Sequence, residues 1–270
     1  MVKILFGSGV SSHKEYGAFL DVVKTAVENG CRGFDTAPSY RTEGVLGKAV
    51  RACAEEFCLK REDFFIQSKI DAWQMQESDG DIAAFAERAL RDMELKRFDA
   101  FLIHWPIEPF MEKTWRSMCA LRERGLAGAI GICNVRVRHL EKFRALGIVP
   151  ELVQIERHPL MTFPLEVEYC KANGIGVQAY SPLCKMHPHL RDSVVLREIS
   201  ERRGKSIGQI ILRWHIDTAV APVFTSRKPA RIREYLNIFD FSLSEAEIGA
   251  ISSLNENYKL CLESVGCPGF

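Results

Sequence analysis

The sequence predicts an α/β protein folded as one closed (β/α)8, or TIM, barrel over residues 1–270. Three observations carry that expectation. Short apolar runs alternate with longer amphipathic segments along the whole chain. No Pro/Gly/Ser-rich linker divides it. Its 270 residues match the roughly 250 that such a barrel needs.

The elements follow in order. Residues 15–28 form an amphipathic helix, with Phe19, Leu20, Val23 and Val27 at helical spacing and Gly30 as a stop. Residues 31–36 read as a strand, 43–56 as a helix with Leu46, Ala49, Val50 and Cys53 on one face, and 64–69 as a strand. Helix 81–93, strand 100–104, helix 112–124 and strand 129–133 come next. Helix 138–146, strand 152–155, helix 164–172 and strand 176–180 repeat the alternation. Helix 207–217 leads into an apolar run at 219–224, and Pro229 opens a further helix at the first turn that proline favours. Ser244 and Glu247 form a capping box for the last helix. Seven strand-then-helix units require a parallel sheet, and an eighth short strand is expected at 237–239. An open doubly wound sheet would carry a Gly-rich turn after its first strand. Here that strand ends Phe34-Asp-Thr36, with no G-x-G-x-x-G.

Composition narrows the function. Lys plus Arg number 36 and Asp plus Glu 35, so neither nucleic acid nor an anionic membrane has an electrostatic claim on this chain. The most apolar C-terminal segment, 207–223, is interrupted by Arg213, His215 and Asp217, and the run at 4–10 is too short for a signal peptide. Nine cysteines, an odd number without a C-x-x-C pair, read as reduced thiols. The expectation is a cytoplasmic protein, monomeric or weakly homo-oligomeric, acting on a small molecule.

Barrel chemistry sits at the C-terminal ends of strands. Those positions hold Asp35, Lys69, His104, Cys133 with Asn134, Gln154, Tyr180 with Ser181, and Thr225 with Ser226. Tyr40 lies five residues past Asp35, in a loop able to fold over the rim. A lysine ammonium beside a phenol lowers its pKa, and a carboxylate holds that ammonium in place. Tyr40, Lys69 and Asp35 therefore make a tuned proton donor, with His104 orienting a carbonyl oxygen. Taken singly, these residues read as an ion pair, a surface tyrosine and a strand cap. Together, at these positions, they read as a site.

These residues lie in stretches that resemble the signatures of the aldo-keto reductase family. Gly33-Phe-Asp-Thr-Ala-Pro-Ser-Tyr40, Ser68-Lys69 and Phe98-Asp-Ala-Phe-Leu-Ile-His-Trp-Pro106 are similar to its first three motifs. Gly131-Ile-Cys-Asn134, Val153-Gln-Ile-Glu156 and Ala179-Tyr-Ser-Pro-Leu183 follow in the family's order. The resemblance implies carbonyl reduction by a nicotinamide cofactor, with Tyr40 as general acid and Asp35, Lys69 and His104 around it. It assigns the nicotinamide to Tyr180, Cys133, Asn134 and Gln154, and the pyrophosphate to Ser181 and Leu183. The adenosine end falls to Thr225, Ser226, Arg231, Glu234 and Tyr235. Trp73 and Trp105 are the aromatic residues expected to wall the substrate pocket.

The chain departs from the family pattern at three of these positions. Cys133 stands where serine is usual, Thr225 where a lysine meets the 2′-phosphate, and Tyr235 where an asparagine meets the adenine. Arg231 remains, with Arg227, Lys228 and Arg233 nearby, so NADPH is the expected cofactor and NADH the alternative. The tail, 255–270, is expected over the barrel rim. Two other functions share this frame. One is a cofactor-binding sensor or regulatory protein with little turnover, against which the intact Asp35, Tyr40, Lys69 and His104 argue. The other is a metal-dependent hydrolase built on His104, His158 and Asp35. With only two histidines near strand ends and no His-x-His pair, no metal is expected.

Overall fold

A computed structural model describes residues 3–9 and 16–261. Its strands are β1 (Leu5–Gly7), β2 (Gly33–Asp35), β3 (Phe65–Ile70), β4 (Phe98–Ile103), β5 (Ala127–Cys133), β6 (Leu152–Glu156), β7 (Gly176–Tyr180) and β8 (Val220–Phe224). They close into one parallel barrel in chain order.

The strand expected at 237–239 is not one; the eighth strand is β1, at the N-terminal end. Leu5 and Phe6 pair with Gly33 and Phe34 on one side and with Val223 and Phe224 on the other. Residues 237–239 follow the helix Pro229–Leu236 as a loop whose carbonyls go to side chains. Gln209 Nε2 donates to Asn237 O at 2.8 Å, and Arg213 Nη1 donates to Ile238 O at 3.0 Å. Ile238 is fully buried, which is why the segment looks strand-like in sequence.

Side chains alternate across the barrel wall, as a period of two requires. Along β3, Ile66 and Ile70 join the core between barrel and helices. Phe65 instead packs with Leu5, Ala221 and Val223, and Ala100, Leu102 and Leu152 form a neighbouring apolar layer. Above these layers the filling turns polar, with Gln67, Gln154 and Gln178 almost wholly buried.

Helices Glu43–Glu56 and Ala83–Met93 pack backbone to backbone, and a Cβ on Gly47 would lie 2.2 Å from Met93 O. The segment expected as helix 81–93 begins at Ala83, after a separate short helix, Ala72–Glu77. The last helix, Glu245–Ser252, carries the expected capping box. Among the described residues, no helix is long and apolar enough to cross a membrane. The eight cysteines among them are free thiols.

Candidate active site

A cavity of about 330 Å³ opens where the strands end. Asp35, Tyr40, His104, Trp105, Cys133, Asn134, Gln154, Tyr180, Ser181 and Thr225 line it. Gly7 and Gly9, from the first loop, complete one side.

Tyr40 reaches the cavity because β2 runs into a one-turn 3-10 helix, Pro38–Tyr40, with proline at its start. Ser39 N pins that turn to Asp71 Oδ2 at 2.7 Å. Below it, Lys69 Nζ donates to Asp35 Oδ2 at 2.7 Å and to Thr36 O at 3.0 Å. The same ammonium lies 4.9 Å from the centre of the Tyr40 ring. Burial alone would lower the Lys69 pKa, but Asp35 and Tyr40 outweigh it and hold the amine above the usual lysine range. For Tyr40 the balance differs from the sequence expectation of a lowered pKa. Burial pushes the phenol up to about 12; Lys69 pulls against that, and Asp35 adds to it. The lysine moderates the rise without reversing it, and Tyr40 stays protonated at neutral pH.

His104 follows β4 and places Nε2 3.3 Å from Tyr40 Oη. Its Nδ1 lies 2.5 Å from Asp71 Oδ1. Burial and the Lys69 charge lower the histidine pKa, against Asp71. Burial would raise Asp71, but the His104 and Ser39 hydrogen bonds bring it below the usual carboxylate value. The sequence reading missed Asp71. It sits two residues past Lys69, on the same face of an extending strand, and that spacing was the available signal. As the residue opening the helix Ala72–Glu77, it reads first as an ordinary N-cap.

Deeper in the barrel, three glutamines and Asp35 form a closed network. Asp35 Oδ2 also accepts from Gln67 Nε2 at 2.6 Å and Gln154 Nε2 at 3.0 Å. Both amides donate to Gln178 Oε1 at 2.8 Å, and Gln178 Nε2 returns a bond to Gln67 Oε1 at 2.8 Å. This uses the donors of Gln154 and leaves its Oε1 for the cavity. Cys133 stays a thiol, since burial raises its pKa strongly. Asn134 and Ser181 both hold left-handed backbone, with φ of 58° and 51°. Such conformations in residues other than glycine concentrate where side chains must be aimed. Asn134 Nδ2 donates to His104 O at 2.9 Å, and Tyr180 Oη donates to Asn134 Oδ1 at 2.7 Å, fixing the tyrosine ring.

Of the tail, residues 262–270 lie outside the described residues. Cys261 lines the cavity, with its sulfur 3.8 Å from Ser181 Oγ. The backbone N–H groups of Leu260 and Cys261 donate to Glu156 at 2.5 and 2.8 Å. Glu156 also meets His158 Nε2 at 2.9 Å. His158 is therefore held by Glu156, away from His104 and Asp35. Among the described residues, no group of three or more His, Cys, Asp or Glu could hold a metal.

Other expected residues stand apart from the cavity. Trp73 is half exposed on its helix, edge-on to Phe85 at 5.6 Å, and does not wall the pocket. Tyr235 turns into the core against Phe224, and its ring sits where a Cβ on Gly208 would touch it, so it does not face a ligand. The helical period sends position 235 inward. Glu234 hydrogen-bonds Ser206 Oγ. Leu183 packs partly buried between two core clusters. Ser226 leads into the helix Pro229–Leu236, where Arg227, Lys228 and Arg231 are exposed at its start.

A sequence profile of the Aldo/keto reductase family matches residues 5–256. An uncharacterized oxidoreductase, YtbE, of Bacillus subtilis is 37% identical over 94% of this chain and 90% of its own length. Glyoxal reductase of the same organism is 36% identical over the same shares. Methylglyoxal reductase DkgA of Salmonella typhimurium is 32% identical, over 88% of this chain and 85% of its own. Among solved structures, an aldo-keto reductase from a Medee basin deep-sea metagenome library superposes with a TM-score of 0.89. It is 29% identical, over 97% of this chain and 94% of its own. A Bombyx mori aldo-keto reductase in complex with NADP reaches 0.87 at 27% identity, over 96% and 91%. With a profile matching nearly its whole length and a barrel that superposes on solved members, the chain belongs to the aldo/keto reductase family of oxidoreductases and is a carbonyl reductase.

Proposed function

We propose that this protein reduces small aldehydes and 1,2-dicarbonyl compounds with NADPH, using Tyr40 as the proton donor. The observation that carries this reading is the Tyr40 hydroxyl at the cavity, protonated at neutral pH and backed by the Lys69–Asp35 pair.

The residues present suit a flat ring bearing an amide. Tyr180 offers an aromatic wall, Gln154 Oε1 an unused acceptor and Cys133 a thiol. Tyr180, Cys133, Asn134 and Gln154 would hold the nicotinamide end, and Ser181 and Leu183 the pyrophosphate. Thr225, Ser226, Arg227, Lys228 and Arg231 would meet the adenosine phosphates, where guanidinium forks compensate for the missing lysine. Tyr235 and Glu234 have no part in this arrangement. A bound nicotinamide supplies the hydride. The protein supplies the proton: as the carbonyl carbon gains hydride, the π pair moves to oxygen and takes the proton of Tyr40. The phenolate left behind faces the Lys69 ammonium.

A cavity of about 330 Å³, shared between nicotinamide and substrate, favours small carbonyls. The relatives named for glyoxal and methylglyoxal reduction support the dicarbonyl class. The test is a fluorescence titration with NADPH and NADH, followed by reduction assays on methylglyoxal, for wild type and Tyr40→Phe. The expected result is tighter NADPH binding, unchanged in the variant, with reduction lost at least a hundredfold. Saturation by neither cofactor sinks the reading. Binding without turnover in the wild type would instead make the protein a sensor.

A further inference from the structure

We propose that Gln178 is a positioning residue that aims the side-chain carbonyl of Gln154 into the cavity, so that this wall selects the amide N–H of the nicotinamide. This deepens the cofactor reading above and rests on it for the binding arm of its test.

Gln178 lies behind Gln154 rather than at the cavity. Parallel register sets it there. Gln67 on β3 pairs with Asp35 on β2, and Gln178 on β7 pairs with Gln154 on β6. The four side chains meet inside the barrel, where the Gln67–Gln178 and Gln154–Asp35 bonds join the two strand pairs. Gln67 is fully buried and Gln178 almost so.

The direction of every amide follows from Asp35. Its carboxylate is paired with the Lys69 ammonium and can only accept. The ends of Gln67 and Gln154 that approach Oδ2, at 2.6 and 3.0 Å, are therefore their Nε2 groups. Gln178 Oε1 takes the second hydrogen of each, both at 2.8 Å. Its own Nε2 returns to Gln67 Oε1 at 2.8 Å. Gln67 and Gln178 thus clasp each other as a reciprocal amide pair, which keeps the Gln178 oxygen toward Gln154. Two bonds at Nε2 fix the plane of the Gln154 amide as well as its direction. The Asp35 contact alone would let that amide swing. With both hydrogens engaged, Oε1 is the end left for the cavity, and an oxygen there accepts an amide N–H but gains nothing from a methyl group.

The probes are NADP and its 3-acetylpyridine analogue, in which a methyl group replaces the amide nitrogen. Each is titrated against the protein by tryptophan fluorescence. The wild type should bind NADP about tenfold more tightly than the analogue. Gln178→Met keeps the side-chain length and removes the acceptor. It should bring that preference below about threefold by weakening NADP, with the analogue almost unaffected. Gln178→Glu should restore the preference at about pH 6. Beside Asp35 its carboxyl is held as the neutral acid, which offers C=O to Gln154 and O–H to Gln67. A preference unmoved in Gln178→Met overturns the proposal, as does equal weakening of both dinucleotides. The second arm uses the cofactor-free protein and reads hydrogen exchange of the Gln154 side-chain amide in 1H–15N spectra, assigned with Gln154→Met. Both hydrogens should exchange slowly in the wild type, and one of them about tenfold faster in Gln178→Met. Fast exchange in the wild type overturns the proposal whether or not a variant folds. If neither dinucleotide saturates the wild type, the function proposed above falls, and the exchange measurement still decides what aims Gln154.

Discussion

At Tyr40, two effects of opposite sign meet in one hydroxyl. Burial penalises the phenolate, and the Lys69 ammonium stabilises it; burial wins, and the acid is held at about 12. Reduction consumes the protonated form, which persists up to that value and is lost only above it. Reduction should therefore show no alkaline decline from Tyr40 between about pH 7 and pH 10. Oxidation consumes the deprotonated form and should rise across the same range. A pH profile of kcat/KM in each direction checks both signs, and a reduction rate that halves near neutrality would refute the assignment. At this scale the sequence was most legible where a residue acts through its strand position. Asp35, His104, Gln154 and Tyr180 all arrive at the mouth because strand ends must, with Lys69 buried beside Asp35. It was least legible where a partner doubles as an ordinary helix N-cap, as Asp71 does. Its bond to His104 spans 33 positions, and the two-residue spacing from Lys69 is the one local hint of it.

Helix and strand patterns set the elements, while their facing decides who meets a ligand. The helical period in Glu43–Glu56 was visible from Leu46, Val50 and Cys53, all buried as that period requires. What the period did not reveal is how near the next helix comes. Gly47 has no room for a side chain, because a Cβ would stand 2.2 Å from Met93 O and 2.7 Å from Met93 Cα. Gly47→Ala must push the helices Glu43–Glu56 and Ala83–Met93 apart, at a cost of about 1–3 kcal/mol. Urea unfolding monitored by circular dichroism measures it; a stability change within experimental error would show that the contact yields freely. The same facing logic explains Trp73 and Tyr235. Trp73 was expected at the pocket as an aromatic wall and Tyr235 at the adenosine end by its match to the family motif, and each turns elsewhere on its helix: one toward solvent beside Phe85, the other into the core.

For the molecule as a whole, the decisive event is closure of the sheet by a strand of three residues. β1 meets β8 through two residue pairs, and Phe6 sits at that seam with its ring edge-on to Phe224 at 5.6 Å and 6.4 Å from Phe34. Phe6→Ala removes one of the seam's two large buried rings, and its expected cost is about 3–5 kcal/mol. Thermal unfolding should show a lowered midpoint, and a loss below about 1 kcal/mol would mean that closure does not depend on this ring. The barrel was legible in seven alternating units, since parallel strands need helical crossovers and leave long periodic signals. The closing strand was not, because three residues carry no period. The buried loop around Ile238 resembled a strand more closely than the strand itself did.

Glu156 grips the tail through the main-chain N–H groups of Leu260 and Cys261, with the Cys261 thiol against the same carboxylate. The two main-chain bonds are indifferent to what the gripped residues carry. The path of the chain past the cavity is thus set mainly by backbone bonds, and the chemistry it presents there by the side chain at 261. Replacing the side chain at 261 re-dresses one wall of the pocket while the chain keeps its course. Replacing Glu156 releases Leu260 and Cys261 from this hold, while Leu160 O still holds Glu256 N and Tyr258 N. The mouth thereby has one wall, at Cys261, that can be re-dressed without touching Tyr40, Lys69 or His104.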